Sequence, residues 1–146
     1  MPPKAALIAK ISYIHFMKRI YILSVFLLSG LFVQAQTIYD ASGKTIARID
    51  GEYVRAASGK TIGRIDGDRI YDASGRSLGR LDGERVYDAS GRSLGRMDGE
   101  DIYDASGRRM GRTDGERYYD ASGRTIGRAE GVRRRVGILY FYFFFY

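Results

Sequence analysis

The sequence predicts an all-β domain, built as a ring or other radial array of short antiparallel hairpins and preceded by an export signal. Two observations carry this prediction. A 16-residue motif recurs six times between residues 39 and 134 without insertion or deletion, and each copy contains two turn signals about eight residues apart. Repeats of fixed period are typical of architectures that bury a core only between neighbouring copies.

Residues 1–35 have the composition of a signal peptide. From Met17 the chain reads MKRIYILSVFLLSGLFVQAQ, in which two basic residues precede an apolar run and Val33-Gln34-Ala35 forms a small-residue cleavage site. We therefore expect translation to begin at Met17, and residues 36–146 to be exported to the periplasm, the outer membrane or the exterior. An uncleaved membrane anchor is the alternative, although the apolar run is short for one.

The repeated motif supplies both turns of a continuous meander. A typical copy, beginning at Tyr71, reads YDASGRSLGRLDGERV. Its Asp-Gly pair tolerates the positive φ of a type I′ hairpin turn, and in Asp-Ala-Ser-Gly the aspartate accepts local backbone hydrogen bonds while the glycine closes a turn with a bulge. The strands left between the turns are four to six residues long.

Placing a two-residue turn at Asp82-Gly83 predicts the strand register, with Leu81 opposite Glu84. A single hairpin of this kind is marginal in water, so neighbouring hairpins must pack on one another. Gly79 and its equivalents are expected to make room for a large neighbouring side chain or for neighbouring backbone. One face would carry Leu81, Gly79 and Val86, and the other Leu78, Tyr87 and the arginines.

The ends of the array favour a ring. Counted from the bulge glycine, the chain contains five complete hairpins, at 43–58, 59–74, 75–90, 91–106 and 107–122. A strand at 37–42 and a hairpin beginning at Gly123 are left over, and their pairing would remove both exposed edges. An open β-solenoid is the alternative.

The tail, residues 136–146, reads VGILYFYFFFY and follows three arginines. Eleven apolar residues are too few to span a bilayer as a helix, and their aromatic content favours a strand. We expect this strand to be buried on the axis of the ring as its central core. Contact of Val136–Tyr146 with a membrane or a partner is the alternative.

Taken together, these features resemble a known family. The signal-like leader, the YDASGRxxGRxDGERx units and the ending of arginines followed by Phe and Tyr are similar to small secreted proteins described as five-fold β-flowers, found in Bacteroidota. The resemblance covers essentially all of residues 36–146. It implies a compact radial arrangement of β-hairpins in the cell envelope or outside the cell, and it implies no activity or site.

Catalytic chemistry is not indicated. The single histidine, His15, lies in the leader and there is no cysteine, so residues 36–146 lack the commonest general base, thiol nucleophile and zinc ligands. Ser90 has counterparts at 42, 58, 74, 106 and 122, which a role in the turns explains. We predict no enzyme and no cofactor. Calcium binding by the acidic turns is an alternative, although neither the EF-hand spacing nor the calcium-binding nonapeptide is present.

Two basic series offer candidate ligand-facing residues. In a ring, each series becomes a circle of positive charge suited to an anionic glycan or a lipid head group. Ion pairing with acidic residues of adjacent units is the simpler explanation and the favoured one. The first series is Arg48, Arg64, Arg80, Arg96, Arg112 and Arg128; the second is Lys44, Lys60, Arg76, Arg92, Arg108 and Arg124.

The charge balance does not favour nucleic acid. Four of the 24 Lys and Arg residues lie in the leader, so residues 36–146 carry 20 bases against 17 acids, finely interleaved. The repeated tyrosines are expected to pack with their hydroxyl groups in water. The sequence thus predicts an exported envelope or extracellular β-repeat protein with a structural or binding role, or alternatively a calcium- or anionic glycan-binding module.

Overall fold

A computed structural model describes residues 3–28 and 35–146, which form two separate units. The first unit is the helix α1, Pro3–Leu28. None of the helices in the described parts of the chain is long and apolar enough to cross a membrane. Residues 33 and 34 of the expected cleavage site lie outside the described residues, and the division into signal peptide and mature domain stays a prediction.

The second unit is a closed antiparallel ring of strands in which each strand pairs with its chain neighbours and the first pairs with the last. The all-β ring prediction is confirmed, and the open solenoid is wrong. The strands are β1 (Gln36–Asp40), β2 (Thr45–Asp50), β3 (Tyr53–Ala56), β4 (Thr61–Asp66), β5 (Arg69–Asp72), β6 (Ser77–Asp82), β7 (Arg85–Asp88), β8 (Ser93–Asp98), β9 (Asp101–Asp104), β10 (Arg109–Thr113), β11 (Arg117–Asp120) and β12 (Thr125–Glu130).

Closure of the ring creates a sixth hairpin from the two ends of the array. In β12 and β1, Arg128 lies opposite Tyr39, as Arg80 lies opposite Tyr87 in the contiguous hairpin of β6 and β7. The register is therefore the same although no turn joins these two strands. The ring contains five hairpins with continuous chain and one held only by pairing, as the leftover ends predicted.

The Asp-Gly turns lie one residue further along than predicted, which moves the partner of each strand residue by two. Asp82 is opposite Arg85 and Leu81 is opposite Val86, so the two turn residues are Gly83 and Glu84. Gly83 has φ of 60°, and within residues 3–28 and 35–146 no residue other than glycine has positive φ. A turn with positive φ at its first central residue only is of type II′, and the predicted type I′ is wrong. A shift of two residues preserves the alternation, so Leu81, Gly79 and Val86 still point inwards.

The second turn of each unit places a bulge in the following strand. Ile70 pairs with Gly79 and Tyr71 with Ser77, so Leu78 is the extra residue. Leu78 packs against the core, which corrects the prediction that it shares the outer face with the arginines. The equivalent half-buried residues are Ile46, Ile62, Leu94, Met110 and Ile126.

The core of the ring consists of buried side chains at equivalent positions of the strands, which form layers stacked along the axis of the ring. One buried row contains Ile49, Ile65, Leu81, Met97, Thr113 and Ala129, and the next contains Ile38, Val54, Ile70, Val86, Ile102 and Tyr118.

The tail fills the axis, but it is helical. It forms α2 (Arg134–Ile138) and a π-helical turn (Leu139–Phe144), with Ile138 to Phe141 buried. The prediction of a central aromatic core is confirmed and that of a strand is wrong. In a closed ring every strand already has two neighbours, so a central strand would have no partner for its backbone groups, whereas a helix bonds its own.

Consecutive tail residues contact consecutive units of the ring. A Cβ atom added at Gly79 would lie 2.9 Å from Phe144 Cζ, and one at Gly95 would lie 3.0 Å from Phe143 Cε1. The expectation that these glycines make room for a large side chain or for backbone is confirmed, because each meets both a tail aromatic residue and a backbone carbonyl oxygen of the paired strand. The matched residues are Gly127 with Phe141, Gly111 with Tyr142, Gly95 with Phe143, Gly79 with Phe144 and Gly63 with Phe145.

Tyr140 closes the circle of aromatic residues. Its ring centroid is 5.3 Å from that of Phe141 and 6.0 Å from that of Phe145. Phe141 meets Gly127 and Phe145 meets Gly63. The strands of these two glycines lie on either side of the strand that contains Ala47, which is the alanine that replaces the glycine in the remaining unit. Residues 141–145 thus meet five successive units, and Tyr140 lies between the first and the last of these aromatic residues.

Tyr142 is the one tyrosine among the five residues that meet glycines, and its hydroxyl group has backbone partners. The oxygen lies 2.7 Å from the carbonyl oxygen of Tyr119 and 2.9 Å from that of Arg112, and it accepts the Tyr119 N–H. Burial raises the pKa of Tyr142 to about 12. The group is therefore neutral at ordinary pH and acts as a hydrogen-bonding link between tail and ring.

The pairing of each aromatic residue with its own glycine predicts specific energetic coupling. Replacing Gly79 by alanine should lower the free energy of unfolding by about 1–3 kcal/mol or more, because the new methyl group overlaps both the backbone carbonyl oxygen of Tyr87 and the ring of Phe144. Phe144→Leu relieves the overlap with the ring and leaves that with the Tyr87 carbonyl oxygen, so combining the two changes should recover part of the loss, about 0.5 kcal/mol or more relative to the sum of the single changes. Urea unfolding of the single and double variants measures both.

The matched control is Gly79→Ala combined with Phe141→Leu. Phe141 meets Gly127 rather than Gly79, so these two changes should be additive. Equal coupling of Gly79 to both phenylalanines would contradict the one-to-one contact.

Candidate functional site

The outer face of the ring carries the predicted arginine series. Because successive strand residues point to opposite faces, the residues between the core positions face outwards. Arg48, Arg80, Arg112 and Arg128 are exposed, and Arg64 and Arg96 are half-buried.

Most of these arginines stack on a tyrosine of the paired strand. The guanidinium carbon of Arg80 lies 4.6 Å from the ring centroid of Tyr87, to which Arg80 is directly opposed in register. Such a contact is a cation–π interaction, and it orients the guanidinium group. The other stacked pairs are Arg64 with Tyr71, Arg96 with Tyr103, Arg112 with Tyr119 and Arg128 with Tyr39, at 4.4 to 4.9 Å. Arg48 instead faces Arg55.

A further set of arginines lies beside this series. Arg69 is opposite Arg80, Arg85 is opposite Arg96, and Arg117 is opposite Arg128, in each case across the turn between two repeats. These arginines were not predicted from the sequence as a set, although each follows Asp-Gly-Glu or Asp-Gly-Asp, which was their signal. We call the whole outward surface the arginine belt; it consists of Arg48, Arg55, Arg64, Arg69, Arg80, Arg85, Arg96, Arg112, Arg117 and Arg128.

Ion pairing accounts for only part of the arginine belt. Arg64 lies within 4 Å of Glu52 and Asp66, Arg128 lies 3.0 Å from Glu130, and Arg55 lies 3.2 Å from Asp50. In the described part of the chain, no carboxylate comes within 4 Å of the remaining belt arginines. These are Arg48, Arg69, Arg80, Arg85, Arg96, Arg112 and Arg117.

The second basic series behaves differently because its arginines pair within their own turns. Arg124 Nε lies 3.0 Å from Asp120 Oδ2, and the other three arginines of the series make the same contact at 3.1 to 3.2 Å. The expected ion pairing thus occurs for this series, although the partner belongs to the same turn and not to an adjacent unit.

The aspartates of these turns are structural. Asp104 Oδ1 accepts hydrogen bonds from the Ser106 hydroxyl group, the Ser106 N–H and the Arg108 N–H. The Ser106 hydroxyl group, with the backbone N–H donors and Arg108, lowers the pKa of Asp104 to about 2. Ser122 and Arg124 act in the same way on Asp120, whose pKa is also lowered to about 2. Five of the six serines therefore cap turns, as the sequence suggested, and Ser58 is the exception.

The calcium alternative has no support from the geometry. Within residues 3–28 and 35–146, no group of three His, Cys, Asp or Glu side chains is close enough to hold a metal ion. The carboxylates of the Asp-Gly turns are instead spread around one end of the ring. That the chain is not an enzyme stays a prediction.

Comparison with known proteins identifies the family. A family model described as 5-fold beta-flower protein matches residues 9–94 and 35–145. The chain belongs to the 5-fold beta-flower family. No curated protein and no solved structure matches the chain. The ring of this beta-flower chain has five hairpins with continuous chain and a sixth made from its ends.

The capped turns of this beta-flower chain predict loss of stability in acid. A carboxyl group whose pKa is lower in the folded state contributes stability above its unfolded pKa, about 3.9, and that contribution disappears as the pH falls through the folded value. The pKa of Asp104 and Asp120 is about 2 in the folded protein. The temperature of the unfolding midpoint should therefore decrease as the pH is lowered from 4 to 2. Ser106→Ala with Ser122→Ala should lower stability at neutral pH and weaken this dependence.

The second repeat offers the control. Its turn has Ala56 where the others have aspartate, so Ser58→Ala removes a hydroxyl group that caps no carboxylate. Ser58→Ala should leave the pH profile unchanged, and an equal effect of all three serine substitutions would contradict the capping role.

Proposed function

We propose that the chain is an exported cell-envelope or extracellular protein that binds an acidic polysaccharide through the arginine belt. The chain is a structural β-repeat protein of the beta-flower family. The observation that supports a binding role is the set of outward guanidinium groups that are stacked on tyrosines without a carboxylate partner, as in Arg80 on Tyr87 and Arg96 on Tyr103.

Export is supported by the leader and by how the ring is completed. The leader has the basic start and apolar run of a signal peptide. The ring, in turn, needs β12 to pair with β1 and needs residues 138–141 to fill its core. A chain that reaches its folded state only after its last residues are available is compatible with passage through a membrane in an unfolded state.

The position of the charges favours an extended polyanion lying along the outside of the ring. Carboxylates such as Glu84 and Asp82 stand at the end of the ring that carries the Asp-Gly turns, and they would repel a polyanion there. The arginine belt lies between that end and the opposite turns. Guanidinium groups form paired hydrogen bonds with carboxylate, sulfate and phosphate groups.

Acidic polysaccharide is favoured over nucleic acid because the belt is narrow and the total charge is modest. Bases and acids nearly balance in residues 36–146. Continuous recognition of a nucleic acid backbone uses a larger single-sign field. A purely structural role is the second candidate, and the family supports it directly.

Binding can be tested with purified residues 36–146 and three polymers. Polygalacturonate carries carboxylates, dextran sulfate carries sulfates, and dextran is neutral. We expect titration calorimetry to detect binding of one or both acidic polymers, weakening as salt is raised because counterions are released on binding. Equal binding of neutral dextran, or no binding of either acidic polymer at low salt, would leave the structural role.

The export proposal has its own test. Expression of the full chain in a bacterium should deliver a protein whose first residue is Gln36 to the periplasm or medium, as found by amino-terminal sequencing of the fractionated cells. Replacing Lys18 and Arg19 by glutamate should hold the protein in the cytoplasm, because a signal peptide needs a basic start. A full-length protein in the cytoplasmic fraction of the unmodified chain would contradict export.

A further inference from the structure

Two equivalent cavities open on the outside of the ring between adjacent hairpins. They lie one repeat apart, and their volumes are about 240 Å³ and about 80 Å³. The larger is lined by Arg69, Ser77, Gly79, Arg80, Asp88 and Ala89, and the smaller by Arg85, Ser93, Gly95, Arg96, Asp104 and Ala105.

Each cavity brings together two arginines from neighbouring strands. Arg69 and Arg80 are directly opposed in register, and neither has a carboxylate within 4 Å in the described part of the chain. Like charges directly opposite each other in a sheet repel, so this arrangement is unfavourable unless an anion lies between them. Tyr87 holds the Arg80 guanidinium group in place by stacking, which limits its escape.

The other lining groups suit an anionic sugar. The Ser77 hydroxyl group can donate a hydrogen bond to an oxyanion. Asp88 lines the edge, where its Oδ1 atom caps the turn and its Oδ2 atom lies 3.2 Å from Arg92 Nε. Donors thus stand on one side and an already neutralised carboxylate on the other, where it can accept from a sugar hydroxyl group.

The remaining units lack this arrangement, each for a visible reason. Arg117 and Arg128 form a third pair, but Glu130 already binds Arg128 at 3.0 Å. Arg112 is opposite Asp101. Across the corresponding turns, Arg64 is opposite Tyr53 and Arg48 is opposite Thr37. Arg55, which faces Arg48 from the other side, already binds Asp50 at 3.2 Å.

We propose that the Arg69–Arg80 and Arg85–Arg96 cavities together form a bivalent binding site for an acidic polysaccharide. Each cavity binds one oxyanion group of the same polymer. The proposal rests on the function proposed above and identifies its site. Because the two cavities are adjacent and equivalent, one extended polymer bridges both. Its second contact is then made at high effective concentration, which raises affinity without a new kind of contact.

The test compares two double variants that remove the same charge. Arg69→Gln with Arg85→Gln takes one arginine from each cavity. Arg76→Gln with Arg124→Gln takes two arginines of the turn series, whose partners Asp72 and Asp120 line neither cavity. All four arginines are exposed, and circular dichroism and thermal unfolding establish that both variants fold.

We expect the cavity variant to bind dextran sulfate or polygalacturonate at least about tenfold more weakly than the unmodified protein, since charged hydrogen bonds are lost at both contacts. The turn variant should bind within about threefold of it, because its arginines sit outside the cavities and a remote exposed charge is largely screened. Arg85→Gln alone should give an intermediate affinity.

Three other results would overturn the assignment. Equal weakening in both double variants would show that the polymer responds to the general charge of the ring, in which case polysaccharide binding stands and the cavities are not its site. If a single-stranded oligonucleotide binds the unmodified protein more tightly than the acidic polysaccharides, and if the cavity variant weakens that binding to the same extent, the ligand is a nucleic acid and not a polysaccharide. Absence of binding in the unmodified protein would remove the proposed function together with this site.

Discussion

The contact between the ring glycines and the tail aromatics is the constraint on which the rest of the fold depends. Strands with short side chains at one level leave a cavity along the axis, and no strand of the ring has a free edge to offer to whatever fills it. The filler must therefore satisfy its own backbone hydrogen bonds and supply all the missing volume with side chains. A widened helical turn of consecutive Phe and Tyr residues meets both requirements, because each residue points to a different unit.

Much of this architecture follows from the sequence. The fixed period, the two turn signals and the leftover ends were sufficient to predict the strands, the closure of the ring and the burial of the tail. The turn was predicted one residue away from its place, and the strand pairing two residues away, because Asp82 and Gly83 were both assigned to the turn, whereas only Gly83 has the positive φ that a type II′ turn requires. The helical tail was missed because closure of the ring outweighs the strand preference of aromatic residues.

The surface was less predictable than the core. The Arg80 series was identified because it recurs at every copy, but its neighbours Arg69 and Arg85 come from the preceding repeat. Their position beside Arg80 and Arg96 depends on the bulge residue that follows the second turn. A bulge shifts the pairing by one residue, which no count of the 16-residue period reveals. The tyrosines were expected to pack, and what they pack against is the guanidinium group of the paired strand.

The one-to-one match between tail and ring has a consequence for how this protein can change in length. Tandem repeats are easily gained and lost by duplication, and an open solenoid tolerates one copy more or less. Here an additional copy would widen the ring and bring a glycine with no aromatic residue to cover it, while a lost copy would leave an aromatic side chain without a place. The six residues from Tyr140 to Phe145 thus act as a template for copy number, and the repeat array and its tail can lengthen or shorten only together.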